Sequence, residues 1–127
     1  MIISPLRLCS HVNIISGNIY LALDGCSENP DSDFHDAVPG YYKRNQNMAQ
    51  IICCSMDGTS CSRKTDDGKC YSGHGKDSKV TWHTARNYCK NIGKRLCTSQ
   101  EELNQCCGSG CDYDNVLAWV DVLEPGR

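Results

Sequence analysis

The chain has 127 residues, enough for one small domain and too few for two ordinary ones. Its formal net charge is −2 with acids and bases interspersed, which gives no electrostatic basis for binding nucleic acid or an anionic membrane. Eleven cysteines stand against one Phe and two Trp, a composition that burial alone stabilises poorly and that disulfides, at roughly 2–4 kcal/mol each, stabilise well.

That cysteine content places the chain in an oxidising compartment, secreted or extracellular. The opening stretch, MIISPLRLCSHVNIISGNIYLALDG, is apolar but does not form a convincing secretory signal. Arg7 is its only early positive charge, and Asn13, Ser16, Gly17 and Asn18 interrupt any apolar run. Ile19, Leu21 and Leu23 alternate with Tyr20 and Ala22, which predicts a strand over 19–23 ending at the Asp24-Gly25 turn. No run approaches the ~18 apolar residues of a membrane span. Residues 24–50 carry turn formers and clustered acids and read as loop, with a short strand at Tyr41-Tyr42. Glu28, Asp31, Asp33 and Asp36 offer oxygens to a calcium ion, but the spacing lacks the Gly and terminal Glu of an EF-hand loop, and solvated acids are the commoner explanation. Residues 1–50 are thus an N-terminal strand and acidic-loop region of the same domain whose cysteine-rich core spans 51–127.

Gln50 to Cys54 predicts a short buried strand, Asp57-Gly58 a hairpin turn and Asp67-Gly68 another, with a further strand over 69–72. Cysteines at strand ends beside tight turns suit bridging, because a disulfide needs its α-carbons within about 7 Å. Thr81 caps a helix over 82–93 that places Trp82, Ala85, Cys89 and Ile92 on one face. Gly93 stops it, and Lys90, Lys94 and Arg95 bring positive charge to its carbonyl end. Thr98 starts a second helix over 99–106, with Glu101 three residues on as its capping partner. Glu101 and Glu102 diverge by about 100° on that helix and cannot face one another as a catalytic acid pair. A strand over 116–122 follows. The predicted core is Trp82, Ala85, Cys89, Leu96, Leu103, Val116, Leu117 and Trp119.

The cysteines stand at 9, 26, 53, 54, 61, 70, 89, 97, 106, 107 and 111, with no C-x-x-C, which removes thioredoxin-like redox chemistry. Cys106, Cys107 and Cys111 form the one tight group, and His74 or His83 could complete a zinc site. The alternative is that each of the three bridges to a different partner. Asp112, Asp114 and Asn115 bind calcium weakly or simply form a polar turn. His11 and His35 complete the four histidines, but no cysteine or serine sits in a nucleophile context. No catalytic residue, metal or cofactor is therefore expected. Disulfide candidates are Cys53, Cys54, Cys61, Cys70, Cys89, Cys97, Cys106, Cys107 and Cys111. An odd cysteine count leaves a sulfur free, or bonded to another chain, or marks this sequence as a piece of a longer one.

Cys70-Tyr71, Thr81-Trp82, Ala85, Cys89, Gly93, Leu96, Glu101 or Glu102, and Trp119-Val120 resemble the first half of a C-type-lectin-like domain, over roughly residues 61–122. That resemblance implies an α+β, disulfide-rich fold with a partial lectin-like core of two helices and short antiparallel strands. It also implies that Cys61 and Cys70 correspond to the short N-terminal hairpin disulfide of long-form members. Gly93 to Glu102, GKRLCTSQEE, is similar to the G-K-R-L-P-T-E-A-E-W motif of the formylglycine-generating-enzyme family, with Cys97 at the position of its Pro. The closest likeness is to cysteine-rich repeats of extracellular proteins from marine algae and invertebrates. It is carried by C-C-S-x-D-G at 53–58, G-x-R-L-C-T at 93–98, C-C-G-x-G-C at 106–111, and Trp119. The sequence stops eight residues beyond Trp119, without the E-P-N or Q-P-D and W-N-D motifs of calcium-dependent sugar binding. The expectation is an extracellular binding module for a glycan, matrix component or protein, with Tyr41, Tyr42 and Tyr113 as its binding surface. The alternative is a structural matrix or assembly subunit cross-linked through the odd cysteine.

Overall fold

The computed structural model describes residues 19–28, 38–74 and 78–123. Six strands and two helices form the frame in chain order: β1 (Ile19–Asp24), β2 (Gly40–Lys43), β3 (Cys53–Cys54), β4 (Cys61–Ser62), α1 (Trp82–Asn91), β5 (Arg95–Leu96), α2 (Gln100–Asn104) and β6 (Leu117–Leu123). A single 3-10 turn, Tyr113–Asn115, precedes β6. The fold is α+β with antiparallel strands in two small sheets, ordered β2-β1-β6 and β4-β3-β5. In the first, Leu21 pairs with Tyr41 and Ala22 with Trp119; in the second, Cys53 lies between Ser62 and Leu96.

Main-chain bonds join the two sheets. Gln50 donates to the Leu117 carbonyl at 2.9 Å, Trp119 donates to Gln50 at 3.2 Å, and Asp121 donates to Cys97 at 2.9 Å. Because side chains alternate faces along extended backbone, consecutive residues enter different cores. Ile51, Cys53, Leu117 and Trp119 join one apolar cluster; Ile52, Cys54, Ala118 and Val120 join the other. This is why 51–54 and 117–120 read as unbroken apolar runs: both of their faces are covered.

Helix α1 covers the first cluster with Trp82, Ala85 and Cys89. Its start is set by Thr81, whose hydroxyl accepts from the Thr84 amide at 3.2 Å. Its end is set by Gly93, at φ +79°, where the chain turns out of the helix. The helix closes at Asn91, two residues short of the expected end, so Ile92 leaves the predicted apolar face and is 42% exposed. The second cluster is covered by α2 through Leu103 and by the loop beyond it through Cys106, Cys111 and Tyr113.

Helix α2 is shorter than expected and shifted by one residue. Ser99, not Thr98, is the cap, accepting from the Glu102 amide at 3.2 Å, and Glu102 rather than Glu101 reaches back, to the Thr98 amide at 2.7 Å. The strand expected over 69–72 is reduced to isolated bridges, Lys64 with Cys70 and Tyr71 with Gly73. That over 50–54 is regular only at Cys53–Cys54, since Gln50 turns to pair with Ala118 instead. All eight expected core residues are buried.

Candidate binding cleft

Ten of the eleven cysteines form five disulfides: Cys26–Cys107, Cys53–Cys89, Cys54–Cys97, Cys61–Cys106 and Cys70–Cys111. Four of these join the segment 53–70 to the segment 89–111 in the same chain order, stitching two stretches side by side. Cys53 and Cys54 diverge because they are neighbours on a strand: one meets α1, the other the start of the α2 segment. Cys61 does not pair with Cys70, as the lectin-like resemblance implies. The Asp67-Gly68 turn and the Lys64–Cys70 bridge direct both sulfurs toward the 106–111 loop instead. Cys26, absent from the expected set, ties the end of β1 to that loop, and Cys9 lies outside the described residues.

The same bridges settle the zinc alternative, since Cys106, Cys107 and Cys111 each have a different partner. The cluster of Cys54, Cys97 and Glu102 is likewise no cation site: its two sulfurs are bonded to each other and its carboxylate is held by Arg95. Arg95 forks onto Glu102 with two bonds of 2.9 Å, and with the Thr98 amide and hydroxyl this holds the Glu102 carboxyl down at about 2, well below its ordinary 4.5.

Asp114 does not gather a cation with Asp112 and Asn115. It pairs at 2.6 Å with Arg63, whose side chain is fully buried, while Asn115 donates to Asp112 at 2.9 Å. Arg63 also donates to the carbonyls of Gly25 at 3.0 Å and Gly110 at 3.3 Å. Burial pulls this guanidinium below its ordinary value, and Asp114 opposes the fall. Of the acids in the 24–36 loop, Asp31, Asp33 and Asp36 lie outside the described residues.

The three tyrosines expected to form a binding surface do not come together. Tyr113 is fully buried, its hydroxyl accepting from the Ser72 amide at 3.1 Å and donating to the Gly73 carbonyl at 2.6 Å. Burial pushes its phenol above the ordinary range. Tyr42 turns toward the first core and donates to the Val38 carbonyl; Tyr41, on the opposite face of β2, is 41% exposed.

A concave surface lies elsewhere among the described residues, in a cleft of about 280 Å³ lined by Ser62, Lys64, Thr65, Asp66, Tyr71, Ile92 and Lys94. Lys94 donates to the Ser62 hydroxyl at 3.0 Å, and that hydroxyl lies 2.7 Å from the Tyr71 hydroxyl. Tyr71 in turn leans on Tyr88 of α1, with ring centroids 4.8 Å apart. Burial, together with Tyr71, raises the Tyr88 phenol above its ordinary value.

Part of this cleft adjoins disulfides, while Lys64, Thr65 and Asp66 lie in the turn between Cys61 and Cys70. Ser62 follows Cys61, Tyr71 follows Cys70, and Ile92 with Lys94 lies between Cys89 and Cys97. No sequence signal singles these residues out, because they share no motif and come from separated stretches at 62–66, 71 and 92–94. The chain has no significant match among protein-family models, curated proteins or solved structures. No helix among the described residues is long and apolar enough to cross a membrane. Five disulfides indicate an oxidising environment.

Proposed function

We propose that this protein is an extracellular binding module without catalytic function, built on a partial C-type-lectin-like core, and that the Ser62–Tyr71–Lys94 cleft is where it binds. The observation that carries this reading is a concavity in which Ser62 and Tyr71 each follow a disulfide-bonded cysteine, Cys61 and Cys70. A site held in this way loses little conformational freedom on binding, and affinity is lost chiefly where side chains and loops must be ordered. The order of a Trp-bearing helix, a short capped helix and a Trp-bearing strand supports the lectin-like part of the reading. Ligand classes are a glycan, a matrix component or a protein. The test is to present the oxidised protein to printed glycans and purified matrix proteins. Saturable binding that disappears on reduction is expected, and no binding across the whole panel overturns the proposal.

A second reading rests on cysteine arithmetic. The five bridges consume every cysteine except Cys9, so a structural subunit could use that sulfur to cross-link chains. A dimeric band on a non-reducing gel that Cys9→Ser abolishes supports this role, and a monomeric band removes it.

A further inference from the structure

We propose that Lys43-Arg44 is a processing site at which an endoprotease selective for paired basic residues cuts the chain, leaving a two-chain protein held together by the Cys26–Cys107 disulfide. The proposal shares the extracellular setting of the reading above and does not depend on the cleft.

The chain contains three adjacent basic pairs, Lys43-Arg44, Arg63-Lys64 and Lys94-Arg95. An enzyme of this class reads both side chains with carboxylates in neighbouring subsites, so both must be free to enter them. Arg63 is buried and paired with Asp114. Lys94 donates to Ser62, Arg95 forks onto Glu102, and the bond after Arg95 leads into the buried Leu96. Lys43 and Arg44, in contrast, are exposed, and so are Asn45, Gln46 and Asn47 after them. Two Lys-Arg dipeptides of identical chemistry therefore differ in what the fold does with them.

The backbone argues the same way. An extended segment is bound most readily where it can add to a second strand along an open edge. Strand β2 lies at the edge of its sheet, paired with β1 alone among the described strands, and it ends at Lys43. The turn that follows is held by polar contacts. The Gln46 amide donates to the Lys43 carbonyl at 3.0 Å, the Lys43 amide donates to the Gln46 side chain at 2.9 Å, and the Trp82 amide donates to the Arg44 carbonyl at 3.1 Å. Opening a turn whose residues 43–47 are all exposed uncovers little apolar surface, and such turns are where proteolytic nicking concentrates.

Hydrolysis breaks the Arg44–Asn45 amide and adds one water, leaving a carboxylate on Arg44 and an amine on Asn45. Residues 1–44 keep β1 and β2, and the rest of the frame stays in 45–127. The cut does not part them, because β1 pairs with β6, Gln100 donates to the Asp24 carbonyl at 2.7 Å, and Cys26–Cys107 spans the break.

The experiment treats the oxidised, folded protein with a purified endoprotease selective for paired basic residues, in parallel with the reduced, alkylated and denatured chain, and follows both by intact mass. The folded protein is expected to gain the mass of one water and to release 1–44 and 45–127 only after reduction. The denatured chain is expected to be cut after Arg95 as well, so that the fold, not the dipeptide, makes the selection. Lys43→Gln is expected to slow cleavage at least about tenfold, since a subsite built for a charge rejects a side chain lacking it; a free-thiol count checks that the variant keeps its bridges. No cut after Arg44 in the folded protein, an equal cut after Arg95, or unchanged cleavage of Lys43→Gln overturns the inference, and so do fragments that separate without reduction. No ligand is present in the assay, so its outcome is read apart from the binding-module reading.

Discussion

Arg63 is the residue on which the loops around β6 converge. One guanidinium reaches Asp114, Gly110 and Gly25, and its own carbonyl accepts from Tyr71 at 3.0 Å, so three chain segments depend on a single buried cation. Removing one partner of a buried ion pair costs more than the pair itself contributes, because the remaining groups stay desolvated and unpaired. Arg63→Met is therefore expected to lower stability by about 3 kcal/mol in urea unfolding of the oxidised protein. Asp114→Asn, at a position whose side chain is one-quarter exposed, is expected to cost less. Gly25 acts by the opposite means, through what it lacks. A β-carbon there would overlap the Tyr113 carbonyl oxygen, so Gly25→Ala is expected to force the end of β1 away from Val116, whose carbonyl its amide meets at 2.8 Å. Loss of the slowest-exchanging amides at 22–25 would report it. Neither role is legible in the sequence, where Arg63 sits in a polar run and Gly25 reads as an ordinary turn glycine.

At the scale of elements, the two helices differ in how they are held. Helix α1 has ten residues, a hydroxyl cap and a buried face, and Thr81→Ala is expected to cost about 1 kcal/mol. Helix α2 has five residues and depends on Glu102, which links its first turn to Thr98 and to Arg95 of β5. Arg95 also donates to the Met56 carbonyl at 3.2 Å, and Gln105 donates to Gly58 at 2.9 Å, so the β3–β4 hairpin tip is tied to the same group. Since folding lowers the Glu102 carboxyl from 4.5 to about 2, its contribution is fully present above pH 4.5 and is lost as pH falls through 2. Glu102→Gln is expected to be less stable at neutral pH by on the order of 1–2 kcal/mol, allowing for solvent screening. Its stability should also change less between pH 5 and pH 2 than that of the native protein. The sequence shows that a capped helix starts near residue 98. It does not separate Thr98/Glu101 from Ser99/Glu102, because both spacings satisfy the same capping pattern; the Arg95 fork selects the second.

For the whole molecule, the two cores share a thin partition of 51–54 and 117–120, with the Cys53–Cys89 disulfide in one core and the Cys54–Cys97 disulfide in the other. Loops of 36 to 81 residues are closed by these bonds, long enough for each to restrict the unfolded chain substantially. The Cys26→Ser/Cys107→Ser variant, which opens the longest loop, is expected to lose about 2–4 kcal/mol while keeping the other four bridges. The connectivity itself is checked by mass spectrometry with partial reduction and alkylation, since proteolysis cannot cut between Cys53 and Cys54 or between Cys106 and Cys107. A Cys61–Cys70 peptide would contradict the fold described above.

What the sequence determined by itself is what short-range physics controls. Strand alternation at 19–23, the Thr81 cap, the Gly93 stop and the apolar spacing of Trp82, Ala85 and Cys89 are each decided within a few residues, and each is present in the structure. The eight core positions follow from the same periodicities. Tertiary structure alone decided which sulfurs meet, because pairing depends on how distant strands and loops lie in space rather than on spacing along the chain. It also buried Tyr113, whose hydroxyl finds partners in Ser72 and Gly73 some forty residues away, and so removed it from the expected surface. The cleft is of the same kind: Ser62, Tyr71, Ile92 and Lys94 come from separated stretches of the chain that only the tertiary structure places side by side.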